Sequence, residues 1–232
     1  MKLLPLLFVL SFFVSACSND TNSQTHPGAV ASAHPLATQA GMDILNSGGN
    51  AFDAAVATAA VLAVVEPYSA GMGGGGFWLL HDAKSQKNIF VDAREKAPLK
   101  AHRDMYLDEA GNVIPRLSID GPMAAGIPGQ AAAFVHLAEN YGALPLSTSL
   151  KASIQIANDG FPVYEHYQRL VGYRLKTLQK YPGAADIFLN KQHKNPKVGY
   201  LIKQPDLANT LSAIAQHGLG GFYTGPVAQN LV

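Results

Sequence analysis

Charge is scarce in this sequence. Only 14% of its 232 residues are Asp, Glu, Lys or Arg, and the formal net charge is +1. The first sixteen residues hold Lys2 and no acid, so the remaining residues include equal numbers of basic and acidic side chains. No run of lysine or arginine occurs anywhere. A neutral chain without a basic stripe lacks the surface that releases counterions from a phosphate backbone, which excludes a nucleic-acid partner. Cysteine is nearly absent as well. With Cys17 as the single thiol, no disulfide can form within the chain. The eight histidines show no ligand spacing such as H-x-x-x-H with a partner acid, so no metal centre is expected. What the chain has in plenty is apolar material, 48% of its residues, enough for a substantial core and too much for disorder.

The longest apolar run sits at the start. "LLPLLFVLSFFVSA", from Leu3 to Ala16 behind Lys2, is too short and wrongly flanked for a spanning helix and reads as an export signal over residues 1–16. Val14-Ser15-Ala16-Cys17 resembles the bacterial lipobox, in which cleavage exposes the cysteine for lipidation. A multiply acylated Cys17 would anchor the protein stably in a membrane. Ser18 follows the cysteine, which favours the periplasmic face of the outer membrane in a Gram-negative cell and the cell surface otherwise. Residues 17–27 are polar with a proline and read as a tether. Residues 28–232 form the globular part.

That part opens with two helices. Pro35 suits a first turn, Leu36, Ala40, Ile44 and Leu45 recur at helical spacing, and Gly48-Gly49 end the segment. "AFDAAVATAAVLAVVEP" is apolar nearly all round and stops at Pro67, which predicts a helix buried on most sides. Next, "FWLLHD" (77–82) and "NIFVDA" (88–93) read as strands joined by a short polar link, an antiparallel hairpin. Helices are predicted from Pro128-Gly129 to about Tyr141, near 147–158, 165–180 and 205–217, and from Pro226. This order gives an α+β fold and not the alternation of a doubly wound parallel sheet.

Between the second helix and the hairpin stands "SAGMGGGGF". Gly71, Gly73 and Gly76 match G-x-G-x-x-G, but a dinucleotide loop leaves a strand and enters a helix, and here the order is reversed. No Gly-Lys-Ser/Thr follows, so it is not a P-loop. Two readings remain: glycines that permit positive φ and close backbone approach at a tight corner, or backbone that lines a catalytic pocket.

The long stretch from "HPLATQAGMDILNSGGN" through "EPYSAGMGGGGFWLLHD" resembles the N-terminal large subunit of γ-glutamyltranspeptidases. So do "DAREKAP", "HRDMYLDEAGN", "GIPGQAAAFVHLAENYGALPL", "IANDGFPV" and "LANTLSAIAQHGLGGFYTGPVA". Ala133 stands where many members carry glycine. The resemblance implies a four-layer αββα sandwich of the N-terminal nucleophile hydrolase type. It implies a proenzyme that cuts itself into two subunits, and a threonine at the new N-terminus that takes the γ-glutamyl group from glutathione or a similar donor. The acyl group then passes to water, an amino acid or a peptide, with no cofactor. The nucleophile is expected beyond Val232, since none of Thr38, Thr58, Thr148, Thr177, Thr210 or Thr224 has a setting like the family's cleavage site; no catalytic residue is expected in this chain. Related acylases acting on other amides, or a lipoprotein that keeps the fold without catalysis, are the alternatives.

One site residue transfers: Arg94 in "DAREKAP" matches the arginine that binds the donor's α-carboxylate. A guanidinium offers a planar fork to a carboxylate. The competing reading is an ion pair with Glu95, Asp92 or another acid. Adjacent strand residues point to opposite faces, so Arg94 and Glu95 need not pair with each other, and Glu95 then holds a neighbouring element or the arginine's surroundings, or is a solvated acid. Asp53, in a buried helix, needs hydrogen-bond donors and is expected to cap nearby glycine-rich backbone. His34, His81 and His102 read as structural or surface groups, Trp78 as a core aromatic, and Met105 and Tyr106 as core.

Overall fold

A computed structural model describes residues 28–231. The expected export signal, the expected tether and Cys17 lie outside these residues. The chain runs α1 (Pro35–Asn46), α2 (Ala51–Val65), α3 (Pro67–Ala70), β1 (Gly76–Asp82), β2 (Lys87–Ala93), α4 (Gln130–Tyr141), α5 (Leu146–Asp159), β3 (Phe161–Pro162), α6 (Glu165–Leu178), α7 (Pro182–Phe188), β4 (Leu201–Ile202), α8 (Pro205–His217), α9 (Gly220–Tyr223) and α10 (Pro226–Leu231). The long helices and the hairpin fall where the hydrophobic periods place them. The two-residue strands β3 and β4 and the short α3, α7 and α9 have no periodic signal.

Helix α2 is the axis of the helical layer, in contact with α1, α4 and α5. Val56, Ala60, Val61 and Val64 are fully buried, and each valine contributes roughly 1.5–3 kcal/mol by leaving water. Its start is a capping box. The Asn50 side chain accepts from the amides of Phe52 and Asp53, and the Asp53 carboxylate accepts from the Asn50 amide. Asp53 is fully buried, and its second task is to hold the turn after α4: it accepts from the amides of Ala143, at 2.9 Å, and Leu144. The expected capping role is therefore present, split between the residue after Gly48-Gly49 and the turn after Gly142. At the other end of α2, buried Gln204 donates to the Val64 carbonyl at 2.7 Å, so an orphan terminal carbonyl is satisfied from the start of α8.

His34 caps α1, its Nδ1 accepting from the Leu36 amide at 3.1 Å. Burial lowers its pKa, with Glu66 opposing. His81 and His102 are exposed.

Strands β1 and β2 pair antiparallel in the register Gly76↔Ala93 to Asp82↔Lys87. One face, with Trp78, Leu80, Ile89 and Val91, packs on the helical layer, and Trp78 meets Phe134 of α4 edge-on. On the other face Phe77, Leu79 and Phe90 are 58%, 78% and 61% exposed. The described residues thus form one helical layer and one hairpin layer. Among them, no helix is long and apolar enough to cross a membrane.

Beyond β2 the chain makes a long excursion, pinched shut by paired hydrogen bonds between Lys96 and Ile127. Met105 and Tyr106 lie on it and are only half-buried, which corrects the expectation of core positions. The excursion is tied down by polar contacts instead. Asp120 receives Arg116 and, from α6, Arg174, and the Tyr106 hydroxyl donates to the Met123 carbonyl.

Candidate functional site

The corner between α3 and β1 is built on close approach. A Cβ on Gly75 would overlap the Ala93 carbonyl at the end of β2, and one on Gly129, just before α4, would overlap it from the other side. No residue from Gly71 to Gly76 has positive φ, so the expectation of a left-handed backbone in this stretch is corrected. Small size is what positions 71 and 75 require, while a Cβ at Gly73 or Gly76 would meet open space. The Gly74 carbonyl accepts from the amides of both Gly129 and Gln130, so the stretch also holds the start of α4. The Tyr223 hydroxyl reinforces that start, donating to the Pro128 carbonyl and accepting from the Ala132 amide.

Arg94 and Glu95 leave the hairpin at this corner. The Arg94 amide donates to Asp92 Oδ1 at 3.0 Å. Its Nε donates to Glu95 Oε2 at 3.1 Å, and its guanidinium lies 5.6 Å from the centre of the Phe77 ring. The ion pair with Glu95, the competing reading of Arg94, is thus present. β2 ends at Ala93, so the alternation of strand side chains does not extend to these two residues. Glu95 is held below the ordinary carboxylate range by its own backbone amide foremost. Partial desolvation opposes this, and the Arg94 guanidinium and the Gly75 amide add to it.

The ion pair engages Nε alone. Among the described residues, neither terminal nitrogen of Arg94 makes a hydrogen bond, and the side chain is 62% exposed. The end of the guanidinium therefore offers two parallel N–H donors, the geometry that receives a carboxylate bidentately. Beside it, Arg94, Lys96 and Ile127 border a cavity of about 530 Å3 whose far wall is α4, with His136 and Glu139. No group of three His, Cys, Asp or Glu side chains among the described residues could hold a metal ion.

One cluster had no local signal in the sequence. Glu66, between α2 and α3, is buried and accepts from the Tyr164 hydroxyl at 3.0 Å, and Tyr164 is in turn bonded to the Tyr68 hydroxyl. Only the acid directly before Pro67 hints at it. Its tyrosine partner lies almost a hundred residues away.

The same architecture occurs in solved structures. The γ-glutamyltranspeptidase of Helicobacter pylori matches with a TM-score of 0.85 and 41% identity, over 88% of this chain and 58% of that one. The Bacillus anthracis transpeptidase enzyme CapD matches at 0.73 and 32% identity, over 88% of this chain and 63% of that one. In sequence, the glutathione hydrolase proenzyme of Escherichia coli is 39% identical over 205 residues, 88% of this chain and 35% of the relative. The chain thus spans about a third of that relative's length. Its fold is the α+β fold of the N-terminal nucleophile hydrolases. Within that class it belongs to the gamma-glutamyltranspeptidase family, whose model matches residues 37–232.

Proposed function

We propose that the chain serves γ-glutamyl transfer and glutathione hydrolysis, with Arg94 as the group that receives the donor's α-carboxylate. The carrying observation is the free end of the Arg94 fork: Glu95 fixes Nε and leaves the two terminal nitrogens to the solvent side. Holding the carboxylate there orients the γ-amide for attack. In the reaction of the family, a threonine hydroxyl adds to the γ-carbonyl, the C–N bond breaks as the tetrahedral intermediate collapses, and the amine leaves with a proton. Water or an amino acid or peptide amine then takes the acyl group. The threonine belongs to the part of the family's sequence that this chain does not span, so the self-cleaved small subunit is its proposed partner.

With the complete coding sequence expressed, two subunits should appear on a denaturing gel and p-nitroaniline should be released from a γ-glutamyl anilide. Arg94→Ala should weaken donor use and leave self-cleavage intact. An uncleaved, inactive product refutes the activity, and unchanged donor kinetics in the variant refute the role of Arg94.

Lipidation at Cys17 is proposed as the membrane anchor, on the outer membrane's periplasmic face in a Gram-negative cell or at the cell surface otherwise. The Val14-Ser15-Ala16-Cys17 pattern supports it. Partition into a detergent phase that survives Cys17→Ser would overturn it.

A further inference from the structure

Glu66 is the residue at which α2 hands over to α3, and it is 7% exposed. An ionised carboxylate at such depth needs donors. It receives the Tyr164 hydroxyl at 3.0 Å, and the Tyr164 and Tyr68 hydroxyls lie 2.5 Å apart. Tyr164 donates to Glu66, and since its one hydrogen is used there, Tyr68 donates to Tyr164. The lock joins α3, which carries Tyr68, to the residue before α6, and the ring of His34 packs edge-on against Tyr164 from the start of α1.

The backbone downstream of the lock is the backbone of the site. α3 ends at Ala70, and the next residues are the glycine stretch. Gly74 bonds to Gly71 within the stretch and receives Gly129 and Gln130 through its carbonyl. Glu95 Oε1 packs against Gly74, 3.1 Å from where a Cβ on that residue would stand. Glu95 in turn holds Nε of Arg94. Hydrogen bonds and one turn of helix therefore link Tyr164 to the glycine stretch, which has almost no side chains of its own to anchor it, and the packing of Glu95 on Gly74 carries the path to the guanidinium.

We propose that the Glu66–Tyr164–Tyr68 lock is the positioning element of the Arg94 carboxylate clamp. By fixing α3 against α6 it sets where the 71–75 backbone lies, and so the place of Glu95 and the direction of the Arg94 fork. This rests on the reading of Arg94 as the donor's carboxylate group.

The test is steady-state kinetics of the full-length processed protein with γ-glutamyl-p-nitroanilide, beside thermal melts. Tyr164→Phe removes the central hydroxyl and should raise the donor KM about 3- to 10-fold while kcat stays within about twofold. Tyr68→Phe keeps the bond to Glu66 and should raise KM by about twofold, which keeps the proposal open to refutation should Tyr164→Phe not fold. Glu66→Gln retains an acceptor oxygen and should stay closer to the parent than Glu66→Ala. Tyr167→Phe, which loses a buried hydroxyl bonded to the Phe188 carbonyl, is the control: it should lower the melting temperature and leave KM unchanged. An unchanged KM in Tyr164→Phe and Tyr68→Phe, or an equal rise in Tyr167→Phe, overturns the lock. If Arg94→Ala itself leaves KM unchanged, the reading of Arg94 falls. If Arg94→Ala raises KM and the tyrosine variants do not, the lock alone falls.

Discussion

Arg94 and Glu95 are neighbours in sequence and partners in space, joined by an Nε to Oε2 hydrogen bond of 3.1 Å just past the end of β2. The bond uses the side of the guanidinium and spares its end. A lysine at position 94 keeps the charge but has no second donor in a fixed plane. Arg94→Ala should raise the donor KM about 10- to 100-fold, the range of a charge-assisted hydrogen bond, and Arg94→Lys should recover only part of that loss. Glu95→Gln should raise KM less than Arg94→Ala, since it loosens the fork without removing it. Kinetics with a γ-glutamyl anilide decide the order.

The glycine stretch should tolerate side chains unevenly. Gly73→Ala meets open space and should leave stability and activity near the parent. Gly75→Ala drives a Cβ into the Ala93 carbonyl and must displace either the stretch or the end of β2. Loss of donor turnover together with a lower melting temperature is expected for position 75 alone. Equal behaviour of the two variants would refute close approach as the reason for glycine there.

Asp53 should matter to folding and not to chemistry. Asp53→Ala removes the buried carboxylate that the part-buried amides of Asn50 and Ala143 donate to, and should cost about 2–3 kcal/mol, or roughly 5–10 °C in melting temperature. Any protein that survives should keep its donor KM.

His34 gives stability an acid dependence. Burial holds the folded imidazole below its ordinary pKa of 6.5, so the unfolded chain binds more protons over the interval between the two values. The stability due to neutral His34 is complete above that ordinary value and is lost as pH falls through the folded one. Protonation of Nδ1 also removes the acceptor that caps α1. His34→Asn supplies a cap that does not titrate. Melting temperatures measured from about pH 7.5 down to about pH 5 should fall more steeply for the parent than for His34→Asn.

The helices and the hairpin were legible because each repeats its pattern long enough to show a period. α2 declares its burial by being apolar on every side, and the hairpin declares itself through two apolar runs around a short polar link. Arg94 is singled out only through the resemblance of "DAREKAP", since a lone arginine after a strand has many uses. Its contact with Glu95 was one of the readings open in the sequence, but that the pair would use Nε alone depends on where the ladder stops. The glycines announced a tight corner, yet whether they serve φ or space depends on the Ala93 carbonyl, which arrives from another strand. Met105 and Tyr106 looked like core from their side chains alone, but they sit on an excursion held by ion pairs. The Glu66 lock joins residues almost a hundred positions apart, and no local pattern encodes such a meeting.

The bare side of the hairpin has a consequence for how the chain behaves before it is finished. Phe77, Leu79 and Phe90 line up on a two-stranded ribbon whose outer edges are unpaired among the described residues. A ribbon of that kind is a template: an extended segment from a neighbouring chain can add to its edge, beside an apolar face that invites further association. During synthesis or refolding, kinetic competition therefore begins at this hairpin. Dilution, lower temperature or a chaperone that holds extended apolar segments should improve recovery more than any change to the helical layer.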